Sequence, residues 1–284
     1  MSETLNDLRS LPTDELAAAR AGVKVVVIAG FGLNCEVETG HAFRLAGATV
    51  ELVHLTDLLE GTRHLAEFQI VAFPGGFAFG DHLGAGFVFA NRIRHRMYER
   101  LVDFIDRGGL AIGICNGFQM MTRLGMLPGL DGDYRTPLAT LAPNDHVGYR
   151  NAWVRLAVNP DSPCVWTSDL ESLYLPSRHG EGKFLVDAPE IAERMEAEGQ
   201  VAVRYVDTEG EPTEEWPANP NGSPGGVAGV CDPTGRLFGI MPHPDAFLYR
   251  FQHPRWFRGE AGDAGEGQGI AVFRNGVDAV AAHA

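Results

Sequence analysis

At 284 residues the chain is longer than an average domain of ~100–200 residues, yet α/β folds of this length often form one continuous unit. With 45% apolar and 21% charged residues it can bury a substantial core without staples, and its net charge of −14 repels phosphate backbones and argues against nucleic acid as a partner. No run of ~18 apolar residues occurs, and residues 1–22 have no basic segment followed by an apolar one, so membrane spanning and secretion are not expected.

Residues 1–22 are polar and helix-prone, with Thr13 or Asp14 as caps, and read as an extension preceding a domain at 23–284. Residues 23–29 form a nearly continuous β-branched run ending at Gly30, the pattern of a strand buried on both faces in a parallel sheet. The pattern recurs at 48–54, 69–73 and 110–114. Helical spacing lies between, with Met97, Leu101, Phe104 and Ile105 on one face, so the expected fold is a doubly wound, mostly parallel α/β sheet of flavodoxin-like type. Beyond Leu124 short strands at 152–158, 182–186, 201–206, 227–231 and 237–241 follow without clear helices between them and predict an antiparallel extension. Segment 207–226, rich in Pro, Gly, Asn and Glu, and segment 259–269 read as surface loops.

Where the strand at 110–114 meets the next helix stands Gly113-Ile114-Cys115-Asn116-Gly117-Phe118-Gln119. Small residues flank the thiol as a sharp strand-to-helix turn requires, and a helix N-terminus favours the thiolate of Cys115. Pro74-Gly75-Gly76-Phe77, after another buried strand, can aim backbone N–H groups at a developing oxyanion, with the N–H of Asn116 as a second donor. Acyl transfer by a cysteine needs a base. Of ten histidines only His243 lies just beyond an apolar strand, stiffened by Pro242 and Pro244 and followed by the carboxylate of Asp245. Nucleophile, base and acid would meet at the carboxyl edge of the sheet, where α/β folds bind ligands. The remaining cysteines, Cys35, Cys164 and Cys231, show no metal-ligand spacing and read as packing residues in a reducing cytoplasm.

Together with Gly32-Leu33-Asn34-Cys35, the stretch from Gly80 to Asp81, His179-Gly180-Glu181-Gly182 and Asn219-Pro220-Asn221-Gly222-Ser223, these motifs resemble class I, triad-type glutamine amidotransferases. Within them they resemble the glutaminase-subunit branch of phosphoribosylformylglycinamidine synthase. The resemblance implies Cys115 as nucleophile, His243 as base and acid, and Gln119 as a contact to L-glutamine. It also implies a backbone oxyanion site around Gly75, Gly76, Phe77 and Asn116. The Gly-rich turn with His179 and Glu181 either lines the glutamine pocket or forms part of the partner interface. The family pattern has Glu two residues after the histidine. Asp245 stands there, shorter by about 1.5 Å, so its bond to His243 is expected to be lengthened, bridged by water or absent.

The implied partners are a large ATP-dependent synthetase subunit that takes up the ammonia and a small third subunit. No Gly-x-x-x-x-Gly-Lys-Ser/Thr motif occurs, so no cofactor is expected in this chain, and ATP and Mg are expected on the synthetase. Two other readings stay open at this stage. An α/β-hydrolase elbow is disfavoured because the acid follows the histidine, and a glutamine-binding subunit without turnover is suggested by Asp245.

Overall fold

The computed structural model describes residues 2–146, 148–260 and 265–283. Helices α1 (Ser2–Arg9) and α2 (Thr13–Ala21) precede strand β1 (Lys24–Ala29). There follow α3 (Glu36–Leu45), β2 (Thr49–His54), α4 (Leu55–Glu60), β3 (Ile70–Phe73), α5 (Phe87–Arg96), α6 (Tyr98–Asp106), β4 (Leu110–Ile114) and α7 (Asn116–Leu124). The second half contributes β5 (Ala139–Pro143), β6 (Arg150–Val158), β7 (Ser172–His179), β8 (Glu181–Val186), α8 (Pro189–Ala197), β9 (Val201–Tyr205), β10 (Val227–Cys231), β11 (Leu237–Ile240) and α9 (Gly269–Ala281).

Nine strands form one sheet in the order β2-β1-β3-β4-β11-β10-β9-β6-β7. The first five are mutually parallel, and every strand from β10 onward pairs antiparallel. The apolar runs explain the layering: every residue of β3, β4 and β11 is buried, so helices must cover both faces there. On α6 the buried residues are Tyr98, Leu101, Phe104 and Ile105, the one-faced pattern that the spacing predicts. Reversal of the winding between β1 and β3 opens a crevice at the carboxyl ends of the parallel strands.

Several expectations change. Segment 237–241, read as part of the antiparallel extension, is β11, which pairs parallel with β4 and completes the parallel half; only its other edge, toward β10, is antiparallel. Segment 182–186 does not extend the main sheet; β8 pairs with β5 in a separate two-stranded sheet that covers α7. A helix, α8, intervenes before β9, where none is read from the sequence. Segment 207–226 is no simple surface loop: Asn219, Asn221 and Ser223 are almost wholly buried. Their side chains bond one another and the backbone, and the Ser223 hydroxyl accepts from the N–H of Phe184 at 2.9 Å. Polar composition there serves internal satisfaction, because buried polar groups must find partners. Of the expected loop at 259–269, residues 261–264 lie outside the described residues.

Neither Thr13 nor Asp14 caps α2, whose N-cap is Pro12. The two N-terminal helices fasten to α9 through Arg9 and Arg20, which reach the fully buried carboxylate of Asp278 at 3.3 and 2.7 Å. Among the described residues no helix is long and apolar enough to cross a membrane.

Candidate active site

Cys115 follows β4 with φ 51° and ψ −106°, a positive-φ conformation that a Cβ-bearing residue adopts only under constraint. The constraint comes from both sides. The Cys115 N–H donates to Ile240 O of β11 at 2.8 Å, while Cys115 O accepts from the N–H of Gln119 at 3.1 Å as α7 begins. Gly117 permits the turn, since a Cβ there would lie 1.8 Å from the carbonyl oxygen of Phe73. The thiol is thereby aimed off the sheet edge, where it donates to the carbonyl of Arg178 at 3.4 Å.

His243 follows β11 and is held by its N–H, which donates to Pro176 O of β7 at 2.7 Å. Its ring Nδ1 is 3.2 Å from Asp245 Oδ1, and both side chains are buried. The acid therefore bonds the imidazole directly, at the long end of the normal range, and neither a water bridge nor a missing bond is found. Facing the carboxylate, Nδ1 carries the proton, which leaves Nε2 free; among the described residues Nε2 has no hydrogen-bond partner. Burial alone would push the His243 pKa down, but the nearby charges of Asp245 and Cys115 outweigh it and hold the pKa well above the ordinary histidine value. The ring is thus disposed to carry a proton.

Cys115 and His243 line a cavity of about 190 Å³ with Cys35, Glu38, Tyr149 and Arg178. A second lobe of about 120 Å³ shares Cys115, Phe77, Tyr149 and Arg178 and adds Gln119 and His179. A larger hollow of about 660 Å³ lies beside Arg155, Tyr174 and His253; no thiol lines it.

Around these lobes the backbone is closely packed. Gly76, at φ 154°, packs so tightly on the segment after β1 that a Cβ would lie 2.7 Å from Leu33 Cα. The N–H of Phe77 donates to Gly32 O at 3.0 Å and is spent in that turn, so Phe77 contributes its ring to the wall and no free donor. Asn116 opens α7, where its N–H has no intrahelical acceptor, and Gly76 lines both lobes. Gly75 backs the histidine, since a Cβ there would lie 2.8 Å from His243 Cε1. The Asn116 side chain accepts from Ala78 N–H at 3.0 Å and donates to Gln119 Oε1 at 2.7 Å, tying the glycine turn to the elbow. Gln119 in turn donates to the backbone carbonyl of Glu181, so its amide is a braced wall of the second lobe. His179 is buried with Nδ1 3.1 Å from Asn144 Oδ1; burial, with the charge of His243, pushes its pKa down to about 3. It is a neutral wall residue.

Four contributors escape sequence reasoning. Tyr149 and Arg178 line both lobes from outside any motif that spacing would single out. Thr39 donates to Asp245 Oδ2 at 2.9 Å. Cys35 sits against the histidine, since a Cβ on Gly75 would lie 3.3 Å from its Sγ and 3.5 Å from His243 Nδ1, so packing alone does not describe it. Burial raises the pKa of this thiol, partly offset by the neighbouring His243 ring. Cys35, His243 and Asp245 offer ligand atoms within 4.8 Å of one another. The carboxylate oxygens of Asp245 are already engaged by His243 and Thr39, so a metal is not required to satisfy this group. Cys164 and Cys231 are buried in the core, as packing residues should be.

Comparison with known proteins agrees with this geometry. Residues 22–280 match the family model of the CobB/CobQ-like glutamine amidotransferase domain. The chain is similar to phosphoribosylformylglycinamidine synthase subunit PurQ of Dehalococcoides mccartyi, with 45% identity covering 90% of this chain and 96% of that one. It is also similar to the PurQ subunit of Methanococcus maripaludis, with 44% identity covering 82% and 85% of the two chains. Its fold resembles a chain in the structure of PurLQS from Thermotoga maritima, with a TM-score of 0.66 and 25% identity over 90% of this chain and 98% of that one. The chain belongs to the CobB/CobQ-like glutamine amidotransferase family.

Proposed function

We propose that the chain is the glutaminase subunit of a phosphoribosylformylglycinamidine synthase, releasing ammonia from L-glutamine for a synthetase subunit in purine biosynthesis. The observation that carries the reading is the strained Cys115 elbow opening onto the same cavity as His243, whose ring Asp245 orients. The PurQ relatives and the PurLQS neighbour support the pathway and the partners, a large synthetase and a small third subunit. A cytoplasmic setting suits four cysteines that are all free.

The Cys115 thiolate attacks Cδ of the side-chain amide, and the N–H groups of Gly76 and Asn116 bind the oxyanion. His243 Nε2 gives its proton to the departing nitrogen, the C–N bond breaks, and ammonia leaves a γ-glutamyl thioester on Cys115. Water then loses a proton to His243 and adds to the thioester; glutamate departs, and the thiolate–imidazolium pair returns. Asp245 stabilises the imidazolium and fixes its tautomer. ATP and Mg are assigned to the synthetase subunit, which performs the ligation.

Glutamate release from L-glutamine by the purified chain, alone and with synthetase, third subunit, formylglycinamide ribonucleotide and ATP, tests the reading, with Cys115→Ala as control. Release that depends on Cys115 and rises with the partners is expected. No release in the complete mixture, or equal release by Cys115→Ala, overturns it.

A further inference from the structure

We propose that Thr39 is a positioning residue for the acid–base pair: its hydroxyl anchors the outer oxygen of Asp245 so that the short carboxylate is held against His243. The inference rests on the glutaminase reading for its meaning but not for its test.

Asp245 occupies a short 3-10 turn at Pro244–Ala246, where Pro244 stiffens the backbone while two side-chain torsions remain free to swing the carboxylate. A single contact to His243 at 3.2 Å does not fix both torsions. The second contact does. Thr39 Oγ1 donates to Oδ2 at 2.9 Å, so one oxygen is held by α3 and the other is presented to the ring. Thr39 is fully buried, and its hydroxyl is directed at the acid, with no other hydrogen bond among the described residues. Its own N–H closes the first turn of α3 on Cys35 O at 2.9 Å, which makes the helix a rigid mount. Beyond His243, only Thr39 bonds the Asp245 carboxylate, and no lysine or arginine reaches it among the described residues. The titratable and charged groups facing the pair are Cys35, Glu38, Cys115, Tyr149, Arg178 and His179.

The test compares Thr39→Ser, Thr39→Ala and Thr39→Val in the reconstituted complex. Its two readouts are glutamine turnover and the pH dependence of Cys115 alkylation by iodoacetamide, resolved by mass spectrometry. Loss of a hydrogen bond to a charged group predicts a fall in kcat of about 10-fold for Val and Ala with KM changed less than about 2-fold. The limb of the pH profile reporting His243 should move to lower pH, because a loosened carboxylate supports the imidazolium less. Thr39→Ser keeps the hydroxyl and should stay within about 2-fold of the parent. Should the Val variant not fold, the Ser and Ala pair, which differ by the hydroxyl alone, decides. Equal kcat and equal alkylation profiles for Ser and Ala overturn the proposal. If the parent complex releases no glutamate, the functional reading fails by itself, while the alkylation profile still tests Thr39 without glutamine.

Discussion

Replacing Asp245 by Asn isolates the contribution of its charge. An amide placed with its oxygen toward His243 can still accept from Nδ1, and its nitrogen can donate to the Thr39 hydroxyl, so both contacts at 3.2 and 2.9 Å survive. What is lost is the negative charge beside an imidazolium that exists only when His243 holds the proton. Two charges 3.2 Å apart attract by about 5 kcal/mol at an effective dielectric constant of ~20, which serves as a ceiling. A floor of about 1.5 kcal/mol is the increment of a charge-assisted hydrogen bond over a neutral one. A value midway, ~3 kcal/mol, corresponds to a loss on the order of 10²-fold. Because the imidazolium forms before ammonia leaves, the loss should fall on kcat, with KM for glutamine nearly unchanged. Steady-state glutamate release in the reconstituted complex measures it, with thermal unfolding to verify the fold. A loss under about 3-fold, or one confined to KM, would refute the role assigned to Asp245.

Acid stability offers a second check. His179 has its pKa lowered to about 3 in the folded chain against ~6.5 unfolded, so the unfolded state binds the proton first and stability is lost as pH falls below ~6.5. At pH 4.5 this amounts to about 3 kcal/mol; urea unfolding of His179→Gln should be correspondingly less sensitive to acid than that of the parent. Backbone strain at the elbow predicts that Cys115→Gly, though inactive, unfolds at higher denaturant than Cys115→Ala by the equivalent of about 1 kcal/mol. At the other end of the fold, removing both Arg9 and Arg20 leaves the buried Asp278 without a cation. The double alanine variant should lose about 3–5 kcal/mol, read by denaturation, while KM for glutamine stays unchanged because those residues lie outside both lobes of the active-site cavity.

Much of the parallel half was legible because β1, β3 and β4 are buried and written as apolar runs, with β4 ending just before Cys115; β11 was legible as a strand but not as the parallel neighbour of β4. The second half was less so. Trp153, Arg155 and Ala157 of β6 alternate with Val154, Leu156 and Val158, a legible half-buried strand, but its partner β7 contains Pro176 and the polar Ser177 and Arg178, which conceal a strand. The polar knot around Asn219 and Ser223 has the composition of a loop, and only tertiary contacts reveal that it is interior. The walls contributed by Tyr149 and Arg178 come from the start of β6 and the end of β7, whose pairing across the sheet no local pattern announces.

The acid at position 245 shows why side-chain length, taken alone, misleads. Measured from its own backbone, aspartate falls short of a glutamate by one methylene, and a weakened or missing bond is the natural expectation. Reach, however, also depends on where the backbone sits and on what restrains the carboxylate. From the 3-10 turn at Pro244–Ala246 the carboxylate reaches His243 at 3.2 Å, and Thr39, 206 residues earlier in the chain, supplies the restraint. A buried carboxylate held by one neutral donor and one imidazole, with no competing cation among the described residues, must direct its charge mainly at that imidazole. The shorter acid is therefore compatible with a working base, and the two positions are better understood as one unit than as a departure at 245 alone.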